Sequence, residues 1–161
     1  MKQALRRSTV AALVLGIVAA SAAALAQQAP KPEQLIKWRQ SAFQVVAWNS
    51  GRIKASLDTT YNKDDVVKAA NTIAAIANGG IGNLFAAGTE RGKGWHDTSA
   101  KPELFQEGNS ARVGELAAAF SKEATELARV ASAGDAAAVK EQFAKLNRSC
   151  KGCHDDFRAK D

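Results

Sequence analysis

The chain has 161 residues, of which 24% are charged, and it carries a formal net charge of +6 with a sequence pI of about 9.5. This length allows one domain with one hydrophobic core. The basic excess does not indicate nucleic-acid binding, because half of it lies within the first seven residues and no basic tail or alternation of aromatic and basic residues follows.

The first 26 residues are typical of a secretory signal peptide. Basic residues at positions 2, 6 and 7 precede an apolar run over residues 10–20, and residues 24–26 (Ala-Leu-Ala) have the pattern of a cleavage site. The apolar run is short and rich in alanine, so we expect no membrane association, with an uncleaved anchor as the alternative. We therefore predict a signal peptide over residues 1–26 and one exported domain over residues 27–161.

Two helices are predicted in the first half of that domain. The first extends over residues 33–57, with Pro32 as a favourable first residue and Gly51 as a weak point. The second follows an acidic pair at residues 64–65, which favours a helix N-terminus, and ends at the glycine pair 79–80. Apolar residues recur at helical spacing in both: Leu35, Ala42, Val46 and Ile53 in the first, and Val66, Ala69, Ala70, Ile73 and Ala77 in the second.

Two further helices are predicted after a long, glycine-rich connection over residues 79–100, whose length is typical of a crossover or a functional loop. The third lies beyond Pro102, and the fourth follows residues 134–135 (Gly-Asp). Their apolar stripes are Val113, Leu116, Ala117, Phe120, Ala124, Leu127, Ala128 and Ala131 in the third, and Val139, Phe143, Leu146, Cys150, Cys153 and Phe157 in the fourth. Both cysteines are thus predicted to point into the core.

No segment of the domain has the sustained alternation of apolar and polar residues that is typical of a strand. Four amphipathic helices with two tight connections and one long connection predict an all-α protein, an antiparallel four-helix bundle with its cofactor between the helices. A three-helix core with a disordered remainder is the alternative.

The last predicted helix contains Cys150-Lys151-Gly152-Cys153-His154, the attachment signature of a c-type haem. Two thiols three residues apart lie on one face of a helix, where they can bond the two vinyl groups of the porphyrin, and the adjacent His154 can bind the iron. We therefore predict one haem c per chain, covalently attached through Cys150 and Cys153, with His154 as the iron ligand.

Other uses of these residues fit the sequence less well. A structural zinc needs four ligands, and the only further Cys or His is His96. A thioredoxin-like dithiol would lie at the start of a helix after a strand. A disulfide between residues i and i+3 of a regular helix has poor geometry.

The group opposite His154 decides what the iron can do. The only methionine is Met1, which leaves with the signal peptide, so the His/Met ligation common among electron-transfer cytochromes is excluded. His96 is the only other histidine, and ligation by it, or by a lysine that must first lose its proton, is the alternative. We predict a five-coordinate iron that small diatomic molecules can reach.

The chain resembles the cytochrome c′ family over nearly all of residues 27–161. The resemblance rests on residues 149–158 around the haem motif and on three weaker motifs in the same order: residues 35–43 (LIKWRQSAF), Phe85 followed by residues 88–90 (GTE), and residues 101–105 (KPELF). It implies an antiparallel four-helix bundle in the periplasm, often a homodimer packed through its first two helices, with a high-spin haem. Members bind nitric oxide (NO) and carbon monoxide (CO) and have been linked to nitric oxide tolerance and electron transfer.

The resemblance also implies further haem contacts. Phe43 would cover the open face of the iron, and Arg158 would lie beside the proximal imidazole, where it could tune the iron or counter the helix C-terminus. The remaining residues that it implies lie near the haem edge: Arg39, Gln40, Phe85, Thr89 and Glu90. The stretch over residues 91–100 looks longer than in some relatives and leaves Trp95 and His96 without a role.

We expect a periplasmic haem protein that binds NO or CO at an apolar distal site. It is not expected to be an enzyme, because a haem peroxidase or nitric oxide reductase would need a distal acid–base pair that the sequence does not provide. The alternative is a dedicated electron carrier with a bis-His haem, whose lysine and arginine residues would dock a redox partner.

Overall fold

The computed structural model describes residues 29–160, and its compact unit begins at Lys31. The predicted signal peptide lies outside the described residues. Within them, four helices are joined by turns and three short 3₁₀ segments, no strand forms, and no helix is long and apolar enough to cross a membrane. The helices are α1 (Pro32–Asp58), α2 (Lys63–Asn78), α3 (Ser110–Ala133) and α4 (Ala136–Phe157), and the 3₁₀ segments are Ile81–Leu84, Pro102–Phe105 and Glu107–Asn109.

The helix ends follow local chemistry. The N-terminus of α2 is capped by the Asn62 side chain, which accepts a hydrogen bond from the Asp65 amide at 3.1 Å. The N-terminus of α4 is capped by Asp135, whose carboxylate accepts from the amides of Ala137 and Ala138 at 2.8 and 3.2 Å. Between α3 and α4, Gly134 has φ +87°, a conformation that an L side chain rarely adopts.

The predicted boundaries are close to the observed ones. Gly51 does not interrupt α1, because it lies exposed on a helix whose other face is packed. The third helix lies beyond Pro102 as predicted but begins only at Ser110, since two 3₁₀ segments occupy residues 102–105 and 107–109. Asn62 was not predicted as the N-cap of α2, because the acidic pair at residues 64–65 indicated a helix start two residues downstream.

Consecutive helices pack closely and run antiparallel, whereas the backbones of α1 and α4 make far fewer close contacts. The buried core lies in the half of the bundle next to the two short connections, which we call the closed half. All four helices contribute to it: Val46, Ile53, Val66, Ala69, Ala70, Ile73, Ala124, Leu127, Ala131, Val139, Phe143 and Leu146.

The other half of the bundle, which contains the start of α1 and the end of α4, is here called the open half. Phe43 lies on the same stripe of α1 as the buried residues Arg39 and Val46, yet 37% of its surface is exposed. On α4, Cys150 and Cys153 continue the apolar stripe but are only partly buried. The cysteines are therefore only partly buried and lie outside the buried cluster, which differs from the prediction that both point into the core.

The long connection between α2 and α3 is bonded to the end of α4. The Lys101 amide donates to the Phe157 carbonyl at 2.8 Å, and the Ala159 amide donates to the Ser99 carbonyl at 2.8 Å. These bonds surround the isolated backbone pairing of Ala100 with Arg158. The segment that follows His154 is therefore fixed in place by the connection.

Candidate haem site

The two thiols of the haem motif lie on the inward face of the last turns of α4. Cys150 and Cys153 are free, and burial raises the pKa of both thiols above the ordinary value. Gly152 lies between them against α3, since a Cβ at this position would be 3.4 Å from Leu116 Cδ2. Both thiols are therefore protonated at neutral pH and reach the space between α3, α4 and α1.

His154 follows at the outer edge of the same turn. Partial burial lowers the pKa of its imidazole below the ordinary value, the nearby positive charge of Arg158 lowers it further, and Asp155 partly opposes them. The neutral imidazole is the form that binds iron. Arg158 follows α4, and its backbone amide donates to the His154 carbonyl at 3.1 Å. Its expected position beside a proximal imidazole stays a prediction.

Arg39 is a buried cation in the first half of α1, with 4% of its surface exposed. Its guanidinium donates to the Leu84 carbonyl at 3.3 Å, to both the hydroxyl and the carbonyl of Thr89 at 2.8 Å, and to the Thr98 hydroxyl. Burial lowers its pKa, although an arginine remains protonated. The structure thus joins Arg39 and Thr89 by hydrogen bonds, and their expected contact with a haem edge stays a prediction.

Aromatic rings surround this guanidinium. Its carbon lies 4.9 Å from the ring centre of Phe85 and 5.9 Å from that of Phe105, distances typical of cation–π contacts. Phe85 also meets Phe43 edge to face, with ring centres 6.2 Å apart. Phe43 and Phe85, both expected near the haem, therefore form one aromatic pair beside the open half.

Gln40 binds the stretch over residues 91–100, which contains Trp95 and His96, the two residues without a predicted role. Its side-chain amide donates to the His96 carbonyl at 2.9 Å, and its oxygen accepts from the Trp95 amide at 2.7 Å. The expected contact of Gln40 with a haem edge stays a prediction, because both ends of its amide are engaged here.

Glu90 carries an unpaired acceptor. Its Oε2 atom is buried and has no hydrogen-bond partner among residues 29–160. Buried carboxylate oxygens are nearly always hydrogen-bonded, so a water or a polar group of a bound molecule is required there. This is the feature expected of a residue that faces a cofactor.

Sequence reasoning missed several residues that shape this region. Thr98 and Ser41 receive hydrogen bonds from Arg39 and Trp95, and Gly94 lies directly against the backbone of α1. All three contacts join positions more than fifty residues apart, so no local pattern signals them. Only the glycine content of the connection indicated a close approach.

A covalent haem fits the residues present. Two thiols on one helix face and an adjacent imidazole supply its attachment, and the two cysteines are free and only partly buried. The buried, unpaired carboxylate oxygen of Glu90 lies in the connection, at a position expected near the haem. The fold and the site together define a c-type haem-binding four-helix bundle.

Comparison with known proteins narrows this class. The family model described as Cytochrome C′ matches residues 34–158, and the chain belongs to the cytochrome c′ family. It is 67% identical over 132 residues to cytochrome c′ of Rhodocyclus tenuis, covering 81% of this chain and 98% of that protein. It is 41% identical to cytochrome c′ of Allochromatium vinosum, covering 99% and 100% of the two chains. Membership of this haem-binding family confirms the class of cofactor predicted above. The similar solved structures of this family confirm the predicted four-helix bundle.

Solved structures agree with the sequence comparison. A cytochrome c′ described as having an unusual ligand-controlled dimer dissociation matches with a TM-score of 0.78 and 44% identity, covering 82% of this chain and 99% of that one. A variant of cytochrome c′ from Alcaligenes xylosoxidans with bound CO matches with a TM-score of 0.70 and 28% identity, covering 81% and 98%. Another variant of that protein, with bound NO, matches with a TM-score of 0.72 and 26% identity, covering 83% of this chain and 100% of that one.

Proposed function

We propose that this chain carries one haem c, bound covalently through Cys150 and Cys153, and reversibly binds NO and CO at the iron face opposite His154. The observation that carries the proposal is the position of Phe43. It lies on the inward stripe of α1 in the open half, and its ring is only partly covered. An aromatic ring there supports an apolar, sterically restricted site, which suits small neutral gases better than polar anions.

The arrangement around His96 supports an iron with a single protein ligand. The Nδ1 atom of His96 lies 2.8 Å from the Asp97 carbonyl and 3.3 Å from Gln40 Nε2, while its own carbonyl accepts from Gln40. The neighbouring Trp95 is hydrogen-bonded to Ser41, which faces away from the inward stripe of α1. Ligation by His96 would require these contacts to break, so the bis-His alternative is disfavoured.

Each residue then has a defined task. The haem supplies an iron that binds the gas and changes oxidation state. Cys150 and Cys153 hold the ring on α4, and a neutral His154 presents a lone pair to the iron. Phe43 excludes water and bulky ligands from the opposite side. The charge of Arg158 beside His154 disfavours protonation of the imidazole.

The absorption spectrum of the reduced holoprotein, recorded with and without CO, tests this proposal. We expect a high-spin ferrous spectrum that shifts when CO is added, and an identical spectrum for His96→Ala. A low-spin spectrum that CO leaves unchanged would contradict the proposal. A changed spin state in His96→Ala would favour bis-His ligation instead.

We also propose that the protein works in the periplasm as a gas binder rather than an enzyme, with electron transfer as a second activity. Exposed basic residues at the end of α4, including Lys151 and Arg158, support docking of an acidic redox partner. Raising the ionic strength should slow the reduction of the haem by such a partner. A rate that does not depend on salt would argue against charge-guided docking.

A homodimer is proposed from the exposed aromatic residues of α1. Trp38, Val45 and Trp48 lie 46%, 40% and 64% exposed on one outward face, which is unusual for large apolar side chains on a monomer. Sedimentation of the holoprotein should give a dimer that Trp48→Glu dissociates. A monomeric parent protein would contradict this.

A further inference from the structure

The connection between α2 and α3 wraps the first half of α1. We call residues 84–98 the collar. Arg39 binds both of its ends, since the guanidinium donates to the Leu84 carbonyl, to Thr89 and to Thr98. One buried side chain of α1 therefore closes the collar on the inner side of the helix.

The middle of the collar lies on the other side of α1. Gln40 bonds the backbone of Trp95 and His96, and the Trp95 indole donates to the Ser41 hydroxyl at 2.8 Å. The Lys37 ammonium lies 3.9 Å from the centre of the Trp95 ring. At about 100° per residue, the α1 positions that the collar touches span roughly half of the helix circumference.

The collar leaves no spare room at Gly94. A Cβ at this position would lie 2.8 Å from both Lys37 N and Lys37 Cα and 2.5 Å from Gln40 Oε1. Two of these atoms are helix backbone and cannot yield. Any larger residue at position 94 must therefore lift the collar from α1.

The collar matters because the first half of α1 lies outside the buried cluster, which begins only at Val46. The one fully buried apolar side chain there, Ile36, packs against the collar at Gly92. Phe43 lies one turn after Arg39, between the collar and that core. We propose that Gly94, Gln40 and Trp95 are positioning residues, which hold α1 so that Phe43 restricts gas entry to the iron. This inference rests on the proposed function and extends it to the control of the entry rate.

The test compares the CO association rate of the reduced holoprotein between Gly94→Ala and Gly82→Ala. Gly82 is the matched control, because it lies in the same connection and a Cβ there meets nothing within 4 Å. We expect Gly94→Ala to raise the rate roughly two- to tenfold, with the CO-free ferrous spectrum unchanged, whereas Gly82→Ala keeps the parent rate. Hydrogen exchange at the Thr98 amide, which is bonded to the Gly92 carbonyl, should quicken only in Gly94→Ala.

Two outcomes would overturn the inference while leaving the proposed function intact. One is a parent protein that binds CO while Gly94→Ala binds it at the same rate. The other is that Gly94→Ala still accelerates binding when Phe43 is already alanine, because a collar that acts through Phe43 has no further effect once the ring is gone. If the parent protein fails to bind CO, the proposed function itself is wrong.

Two milder variants test the same inference in case Gly94→Ala does not fold. Trp95→Phe and Ser41→Ala each remove the same hydrogen bond while they keep the surrounding packing. We expect each to raise the CO association rate, and the double variant to equal the stronger single one. Unchanged rates in both would overturn the role of Trp95.

Discussion

Phe43 is an aromatic residue on the inward stripe of α1 that is only partly buried. Its ring touches Phe85 edge to face, and more than a third of its surface is exposed. A buried core phenylalanine would contribute through packing alone. In the proposed holoprotein this ring would limit what approaches the iron face opposite His154, so its effect on rates should exceed its effect on stability.

We therefore predict that Phe43→Ala accelerates CO association by about tenfold or more, which corresponds to a barrier lower by about 1.4 kcal/mol. Stopped-flow mixing of the reduced holoprotein with CO measures this. Gln44→Ala is the matched control, because it shortens an exposed side chain next to Phe43 on the same helix. Equal rates in the parent and Phe43→Ala would place the ring elsewhere than over the iron.

Tyr61, in the turn between α1 and α2, makes the stability of the protein depend on pH. Its hydroxyl is buried without a hydrogen-bond partner in the part of the chain that the structure describes. Burial raises the pKa of this hydroxyl above its ordinary value, and the Asp135 carboxylate adds to the rise. The folded protein thus holds this proton more tightly than the unfolded chain. The resulting contribution to stability is fully present below about pH 10 and is lost as the pH rises through the folded-state pKa.

Tyr61→Phe should therefore lose less stability than the parent between neutral pH and pH 11. At pH 7 the variant should be unchanged or more stable by up to about 1 kcal/mol, because it removes an unpaired buried group. Urea unfolding at pH 7 and at pH 11 measures the free energy of unfolding of the parent and of the variant. Tyr61 is the only tyrosine in the chain. A variant less stable at pH 7 would mean that the hydroxyl has a partner in solution.

At the scale of the element, α4 depends on its cap. Asp135 accepts two backbone hydrogen bonds at the start of the helix whose last turns carry the haem motif. Asp135→Ala should lower the free energy of unfolding by about 1 kcal/mol, while Asp135→Asn, which can also cap, should lose much less. Thermal or urea unfolding decides between them. A full loss in Asp135→Asn would assign the effect to charge rather than to capping.

The helices could be predicted from the sequence because each carries its own periodic stripe and its own glycine or proline boundary. The haem attachment could be predicted for the same reason, since Cys150, Cys153 and His154 are adjacent in sequence. The collar could not, because its contacts with Arg39 and Gln40 join residues that are distant along the chain. A polar residue on an apolar stripe, as Arg39 is, marked the position but not its partners.

At the scale of the whole molecule, the two halves of the bundle differ in what holds them together. The closed half contains the continuous apolar core, which stabilises it by burial alone. In the open half few apolar side chains are buried, among them Ile36, Leu116 and Phe157, and the connection adds contacts with both α1 and α4. Covalent haem would add the apolar surface that the open half lacks.

A haem-free protein should therefore be stable in one half only. In a variant with both Cys150→Ala and Cys153→Ala, we expect slow hydrogen exchange at closed-half amides such as Ile53, Ile73 and Leu127. Amides in the last two turns of α4 should exchange fast. The intact holoprotein is the control, and uniform protection in the variant would mean that the bundle closes without its cofactor.

The bonds that join residues 99–101 to the end of α4 have a consequence for how the family could vary. The same connection binds α1 through the collar and α4 through backbone pairing, so it acts as a spacer between two helices whose backbones make few close contacts with each other. The width of the gap is then set by the length of one loop. Insertion or deletion of a residue between positions 90 and 98 would adjust that width, and with it the size of molecule admitted, without any change to the five residues that attach the haem.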